Sequence, residues 1–217
     1  MKAMILAAGR GERMRPLTDN TPKPLLKAGE YSLIELHILN LKQNGFTDLV
    51  INTAWLGEQI HQQLGDGSDY GVSIQYSDEV EALETAGGIK HALPLLGEDP
   101  FLVINGDIWC PFPLKNLPVL NQNTVAHLVL VNNPEHNPHG DFGIEDKLLT
   151  NSKELTFSGI GIYRPEFFNF SEERYPLAPL LREAAEKNTI SAEYFKGEWF
   201  DIGTPERLNQ LTEKLST

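Results

Sequence analysis

Met1-Lys2-Ala3-Met4-Ile5-Leu6-Ala7-Ala8-Gly9-Arg10-Gly11-Glu12-Arg13 opens the chain with an apolar run that ends at paired glycines and at once turns charged. A run this short, closed by glycine, reads as a strand buried on both faces over Ala3 to Ala7, followed by a loop whose backbone can approach a ligand. Because the run is short and Arg10, Glu12 and Arg13 follow at once, it reads better as this strand than as a secretory leader. The same kind of run returns at Asp48 to Asn52, Val72 to Tyr76 and Phe101 to Asn105. Helical patterns separate these runs, and the alternation implies parallel pairing in one central sheet. Ser32 is placed to cap a helix with Leu33, Ile34, Ile38 and Leu41 on its core side, closed by Asn44-Gly45. Trp55 to Leu64 and Thr85 to Leu93 supply the next two helices.

From Asn123 the pattern is less regular, and the strand directions there are expected to mix. A β-branched run over Thr124 to Val131 leads into a loop rich in Pro, His and Asn, then to strands at Phe142 to Ile144 and Phe157 to Tyr163. A helix over Ala178 to Lys187, a short strand near Ile190, the segment Trp199-Phe200-Asp201 and a last helix over Pro205 to Leu215 finish the chain. The expected fold class is α/β: a Rossmann-like, mixed but mostly parallel central sheet with helices on both faces. With 217 residues and no repeat, low-complexity tract or linker, a single domain over 1–217 is expected.

Composition narrows the function. Apolar residues make up 41% and charged residues 22%, ordinary globular values, and nothing approaches the ~20 apolar residues of a membrane-spanning helix. With 18 Lys and Arg against 30 Asp and Glu, the net charge of −12 disfavours a grip on nucleic acid. Arg10, Arg13, Arg15, Lys23 and Lys27 nevertheless cluster near the N-terminus, a cationic spot suited to a small anion. The single cysteine, Cys110, excludes an internal disulfide, fits a reducing cytoplasm and reads as a packed thiol.

A strand ending in Ala8-Gly9-Arg10-Gly11 directs backbone N–H groups inward, and such a nest accepts phosphate oxygens at the carboxyl edge of a sheet. The glycines alone also fit an ordinary strand-to-helix turn. The loop lacks the Gly-Lys-Ser/Thr of a P-loop and the third glycine of a dinucleotide fingerprint, which weakens kinase and dehydrogenase readings. It continues through Arg13-Met14-Arg15-Pro16-Leu17-Thr18 to Thr21-Pro22-Lys23-Pro24-Leu25. A lysine between prolines lies on a stiff, extended segment that restricts where its ammonium can point, either at a ligand or into solvent.

The combination of Leu6 to Arg13 with Pro22-Lys23-Pro24 resembles the signature of the sugar-phosphate nucleotidyltransferases, the nucleotide-diphosphate-sugar pyrophosphorylases. The resemblance implies a nucleotide-binding half to about residue 110 and a sugar-binding half from about 111. It implies nucleotide contacts from Ala8, Gly9, Gly11, Glu12, Arg13, Lys23, Thr85 and Gly88, the last two within Leu83-Glu84-Thr85-Ala86-Gly87-Gly88. Phe101 to Asp107 and Trp199 to Thr204 each bring an Asp to the end of an apolar approach, where it is either a turn former or an oxygen ligand for a hard dication. By the resemblance Asp107 and Asp201 bind Mg²⁺, and Arg13, Lys23 and Asp107 are the catalytic set. Sugar contacts are implied for Asn105, Gly140, Asp141, Glu154 and Ser158; for the stretches around Gly140 and Ser158 an ordinary hairpin is the competing reading. The chain departs from hexose-specific members in lacking a Glu-Lys-Pro stretch before the sugar strand, where Ser152-Lys153-Glu154 stands. His136 and His139 lie among prolines and are read as surface residues of an irregular loop.

Within that family the short chain, Glu84-Thr85-Ala86-Gly87-Gly88, Gly140-Asp141-Phe142 and Phe157-Ser158-Gly159 most resemble the branch of uridylyltransferases that act on N-acetylmuramic acid α-1-phosphate in cell-wall recycling. The implied partners are a nucleoside triphosphate and a sugar 1-phosphate, with neither nucleic acid nor membrane, in a monomer or small homo-oligomer. Guanylyl transfer to mannose 1-phosphate, thymidylyl or uridylyl transfer to glucose 1-phosphate, a silent nucleotide-sugar sensor and a nucleotide-dependent oxidoreductase are the alternatives.

Overall fold

A computed structural model describes residues 1–216. The apolar runs of the first half are strands: β1 (Ala3–Leu6), β4 (Asp48–Thr53), β5 (Ser73–Asp78) and β6 (Phe101–Asn105). Between them come β2 (Lys27–Ala28), β3 (Tyr31–Ser32), α1 (Leu33–Gln43), α2 (Gly57–Leu64) and α3 (Glu84–Leu96). The second half holds β7 (Ile108–Trp109), β8 (Ala126–Val131), β9 (Phe142–Glu145), β10 (Leu148–Tyr163), α4 (Leu177–Glu186), β11 (Ile190–Tyr194), β12 (Phe200–Asp201) and α5 (Pro205–Leu215). The eight-stranded sheet has the order β11-β8-β10-β6-β1-β4-β5, with β9 paired to β10. β6, β1, β4 and β5 run parallel, as does the β8–β11 pair, while β10 is antiparallel to its neighbours.

Alternate residues of the central strands feed two cores. Ala3, Ile5, Leu49, Ile51, Leu102 and Ile104 pack with Ile34, Ile38 and Leu41 of α1 and Ile60 and Leu64 of α2. Met4, Val50, Phe101 and Val103 face the other way, toward Ala86 and Ile89 of α3 and Leu181 of α4. A sheet covered on both faces explains why its strands read as continuous apolar runs, each fully buried Ile or Leu contributing about 1.5–3 kcal/mol. Among the described residues no helix is long and apolar enough to cross a membrane.

Three departures from the sequence reading have local causes. α2 starts at Gly57 rather than Trp55, because Leu56 adopts a left-handed conformation with φ 54°. α3 continues past Leu93 through Pro94 to Leu96; a proline in a last turn removes a hydrogen bond near a terminus that is already short of partners. The greatest difference is β10, expected to begin near Phe157 but sixteen residues long. Its first half folds back on β9 through Asp146-Lys147, both at positive φ (49° and 66°), the geometry of a type I′ hairpin turn. Asp-Lys carries none of the Asn-Gly signal that usually marks this turn.

Candidate active site

The carboxyl ends of β1, β4 and β6 open into a cleft of about 510 Å³, where ligands bind in open α/β sheets. Ala8, Gly9, Gly11, Glu12, Arg13 and Lys23 line one side; Asn52, Glu79, Ala82, Glu84 and Thr85 another; Asn105, Gly106, Asp107 and Gly203 a third.

The loop after β1 is shaped by Gly11, at φ 65°, before a 3-10 turn over Glu12–Met14. A β-carbon on Gly11 would stand 3.0 Å from both the Lys23 Cβ and the Thr18 Cγ2, so glycine is required by conformation and by space. Met14 then buries fully among Leu26, Leu33, Ile202, Leu208 and Leu211. This anchoring holds Arg13 at the cleft, and among the described residues its guanidinium has no hydrogen-bond or ion-pair partner. It is free to meet an anion.

Lys23 follows Pro22, which is extended at ψ 141°, but the segment does not stay extended: it closes into a 3-10 turn over Lys23–Leu25, with the Leu25 N–H donating to the Pro22 carbonyl at 2.9 Å. The Lys23 side chain is only 10% exposed, and its Nζ donates to Asp107 Oδ2 at 2.7 Å across 84 positions of sequence. Asp107 emerges from β6 just before β7, which pairs antiparallel with β12 so that Ile108 faces Asp201. The Ile202 N–H donates to the Asp107 carbonyl at 2.7 Å, which ties the two aspartate-bearing segments together. Beneath them His37 of α1 is buried, and burial holds its ring down to about 4, neutral at pH 7.

Asp201 divides its carboxylate. Oδ1 meets His136 Nε2 at 3.0 Å and accepts a hydrogen bond from Arg207 Nη1. Oδ2 lies against Gly203 of the cleft wall, although Asp201 does not itself line the cleft: a β-carbon placed on Gly203 would be 3.2 Å from Asp201 Oδ2 and 3.2 Å from Arg13 Nη2. Cys110 takes no part, since burial pushes its thiol up to about 12.

This geometry has relatives. The sequence model of the family described as Nucleotidyl transferase matches residues 2–217. The chain belongs to this family. It is 52% identical to the N-acetylmuramate alpha-1-phosphate uridylyltransferase of Neisseria meningitidis serogroup B, over 97% of this chain and 96% of that one. It is 32% identical to the mannose-1-phosphate guanyltransferase of Saccharomyces cerevisiae, over 94% of this chain and 62% of that one. Among solved structures, HddC from Yersinia pseudotuberculosis superposes with a TM-score of 0.83 at 20% identity, covering 99% of each chain. A UDP-glucose pyrophosphorylase complexed with UDP-glucose superposes at 0.81 and 18% identity, covering 99% and 98%. These two likenesses are of fold.

In this nucleotidyl transferase seven of the residues read as nucleotide contacts, Ala8, Gly9, Gly11, Glu12, Arg13, Lys23 and Thr85, line the cleft, and Gly88 does not. Gly88 is buried one layer behind, where a β-carbon would come within 2.6 Å of Glu79 Oε1 and 3.0 Å of Asn52 Nδ2. Those two residues, neither of them read as a site residue from the sequence, line the cleft. Asn52 Oδ1 accepts from the Ala7 N–H at 2.8 Å, its Nδ2 donates to Glu79 Oε1 at 2.7 Å, and Glu79 Oε2 accepts from the Leu83 N–H at 2.9 Å. One buried network thus fixes both the glycine loop and the entry to α3, and a lone Asn and a lone Glu in the sequence carry no signal of it. Gly88→Ala is expected to lower stability by about 1–3 kcal/mol through overpacking, read as a fall in melting temperature; an unchanged melt would show that the network yields freely.

Of the residues read as sugar contacts, only Asn105 lines the cleft. Ser158 is fully buried: its Oγ donates to the Val129 carbonyl at 2.7 Å, and its carbonyl accepts from Trp199 Nε1 at 2.8 Å. Asp141 accepts from Asn137 Nδ2 at 3.1 Å and from the Phe157 N–H at 3.0 Å. Gly140 makes a turn at φ 68°, and Glu154 is exposed while its carbonyl accepts from Asn133 Nδ2 at 3.1 Å. Gly140, Asp141 and Glu154 build and support the 132–140 loop, and Ser158 ties β10 to β8 and to the Trp199 segment; none of the four lines the cleft. His136 and His139 are both exposed, as read from the sequence, and the loop in addition sets His136 Nε2 3.0 Å from Asp201 Oδ1.

Proposed function

We propose that this nucleotidyl transferase joins UTP to N-acetylmuramic acid α-1-phosphate, giving UDP-N-acetylmuramate and pyrophosphate. The 52% identity over 97% of the chain to a relative of that named activity carries the reading. The meeting of Lys23 and Asp107 at 2.7 Å inside the cleft supports it.

The reaction needs no protein nucleophile. An ionised oxygen of the sugar phosphate attacks the α-phosphorus of UTP; a P–O bond forms there as the bond to the β-phosphate breaks, and pyrophosphate leaves with the electron pair. The barrier is chiefly repulsion between two polyanions and charge on the leaving oxygen, so catalysis is positioning and neutralisation. The unpartnered Arg13 guanidinium faces the triphosphate, and the backbone of the Gly9 to Gly11 loop receives phosphate oxygens. Lys23 neutralises the reacting side, and Asn105 with the half from about residue 111 holds the sugar.

Asp107 and Asp201 are the residues that would hold Mg²⁺. Their chemistry fits: Mg²⁺ is commonly bound through one or two carboxylates, with phosphates and water completing its shell. Among the described residues no group of three or more His, Cys, Asp or Glu side chains converges to cage a metal, as that mode of binding allows. When bound, the ion supplies positive charge to the phosphates. A cytoplasmic setting, where the free Cys110 stays reduced, belongs to the same proposal.

A panel of nucleoside triphosphates against muramate, glucose, glucosamine and mannose 1-phosphates tests it through pyrophosphate release. UTP with N-acetylmuramic acid 1-phosphate is expected to give the highest kcat/KM. Preference for GTP with mannose 1-phosphate, the activity named for the yeast relative, would overturn the substrate assignment, and no release with any pair would make the chain a sensor.

A further inference from the structure

The acidic sugar of the proposed reaction raises a question of charge. N-acetylmuramate differs from N-acetylglucosamine by a lactyl ether that ends in a carboxylate. None of Asn105, Gly140, Asp141, Glu154 and Ser158 is cationic, and two of them would repel an acid. At the cleft itself, Lys23 is paired with Asp107, and Arg13 stands at the glycine loop.

One further group of donors lies against the cleft. His136 Nε2 and Arg207 Nη1 both converge on Asp201 Oδ1 and lie 3.3 Å from each other, behind Gly203 of the cleft wall and outside the cleft lining itself. They come from separate elements. Arg207 belongs to α5, whose first turn is capped by Thr204. His136 belongs to the 132–140 loop, which is held in shape from within. Asn133 Oδ1 accepts from Thr156 Oγ1 at 2.9 Å, while Asn137 Nδ2 donates to Thr156 Oγ1 and to Asp141 Oδ1, each at 3.1 Å. Side chains that interlock a loop in this way fix the donor it carries. The cluster is also open to a ligand: the side chains of Asp201 and His136 are 20% and 39% exposed.

We propose that His136 and Arg207 form the subsite that reads the carboxylate of an acidic sugar 1-phosphate. In the free protein Asp201 Oδ1 occupies the two donors; the substrate carboxylate takes its place on them, and a neutral sugar cannot. A guanidinium with a second donor beside it is matched to a carboxylate in geometry as well as charge. The inference rests on the substrate reading above, and names the residues behind its preference for an acid over a neutral sugar.

The test is the ratio of kcat/KM for N-acetylmuramic acid α-1-phosphate to that for N-acetylglucosamine α-1-phosphate, with UTP, in the intact protein and in His136→Gln and Arg207→Lys. Losing a hydrogen bond to a charged carboxylate is expected to lower the ratio about tenfold to a hundredfold in His136→Gln. Arg207→Lys keeps the charge but loses the planar fork, so its ratio is expected to fall less. Thermal melting reports folding in each variant. The binding of UDP-N-acetylmuramate against UDP-N-acetylglucosamine, measured by calorimetry without added metal, provides the same comparison independently of turnover. If both sugars lose equally, the cluster only positions Asp201 and the subsite is refuted while the activity stands. If the unaltered protein shows no preference for the acid, the substrate reading itself fails and the subsite with it.

Discussion

Lys23→Ala is expected to lower kcat about a hundredfold, because one preorganised donor aimed at developing charge is worth ~3 kcal/mol in the barrier. The protein should remain folded. What the substitution leaves behind is Asp107, whose side chain is 43% exposed and can be solvated, so the broken ion pair costs little beyond the lost contact. Turnover and thermal melting of the purified variant check both halves. Near-normal turnover would remove Lys23 from the site, and collapse of the melt would make it a structural residue.

Asp107→Asn is expected to lower turnover by a similar factor, and to raise the magnesium concentration needed for half-maximal rate. The amide still accepts a hydrogen bond from Lys23 but carries no charge for a dication or for the ammonium. Its effect on stability should be the larger of the two, for a reason visible in the burial of the pair. The group left without a counter-ion is then Lys23, only 10% exposed, and an uncompensated buried charge is more costly than an exposed one. A melting temperature for Asp107→Asn at or above that of Lys23→Ala would contradict this asymmetry. Full activity with unchanged magnesium dependence would sink the metal assignment.

Much of the first half of the fold is legible because its physics is local. Ile5, Ile51 and Ile104 each lie within an apolar run bounded by turn residues, and all are buried in one core. At α1 the expected Ser32 cap is present: Ser32 Oγ accepts from the Glu35 N–H, and the Glu35 carboxylate accepts in return from the Ser32 N–H at 2.7 Å. Periodicity and capping require nothing from distant sequence. The start of β10 was not legible, because Asp146-Lys147 adopts a turn that its residue types do not advertise.

The sequence by itself determined the strand that opens the chain, the glycine loop after it, the alternation that makes the first half of the sheet parallel, and the chemical kind of each candidate group: guanidinium, ammonium, carboxylate. Only the tertiary structure decided which of those groups meet. The burial of Met14 with Ile202 brings Arg13 beside Asp201, the β7–β12 pairing sets Asp201 next to Asp107, and the Asn133–Thr156–Asn137 frame delivers His136 to Asp201 while holding Asp141 as part of the loop. The reason is that propensity and hydrophobic period act over a few residues, whereas a site is assembled by packing between segments far apart in the chain. A carboxylate that grips its own backbone and one that faces a ligand are the same letter in sequence; their neighbours in space distinguish them.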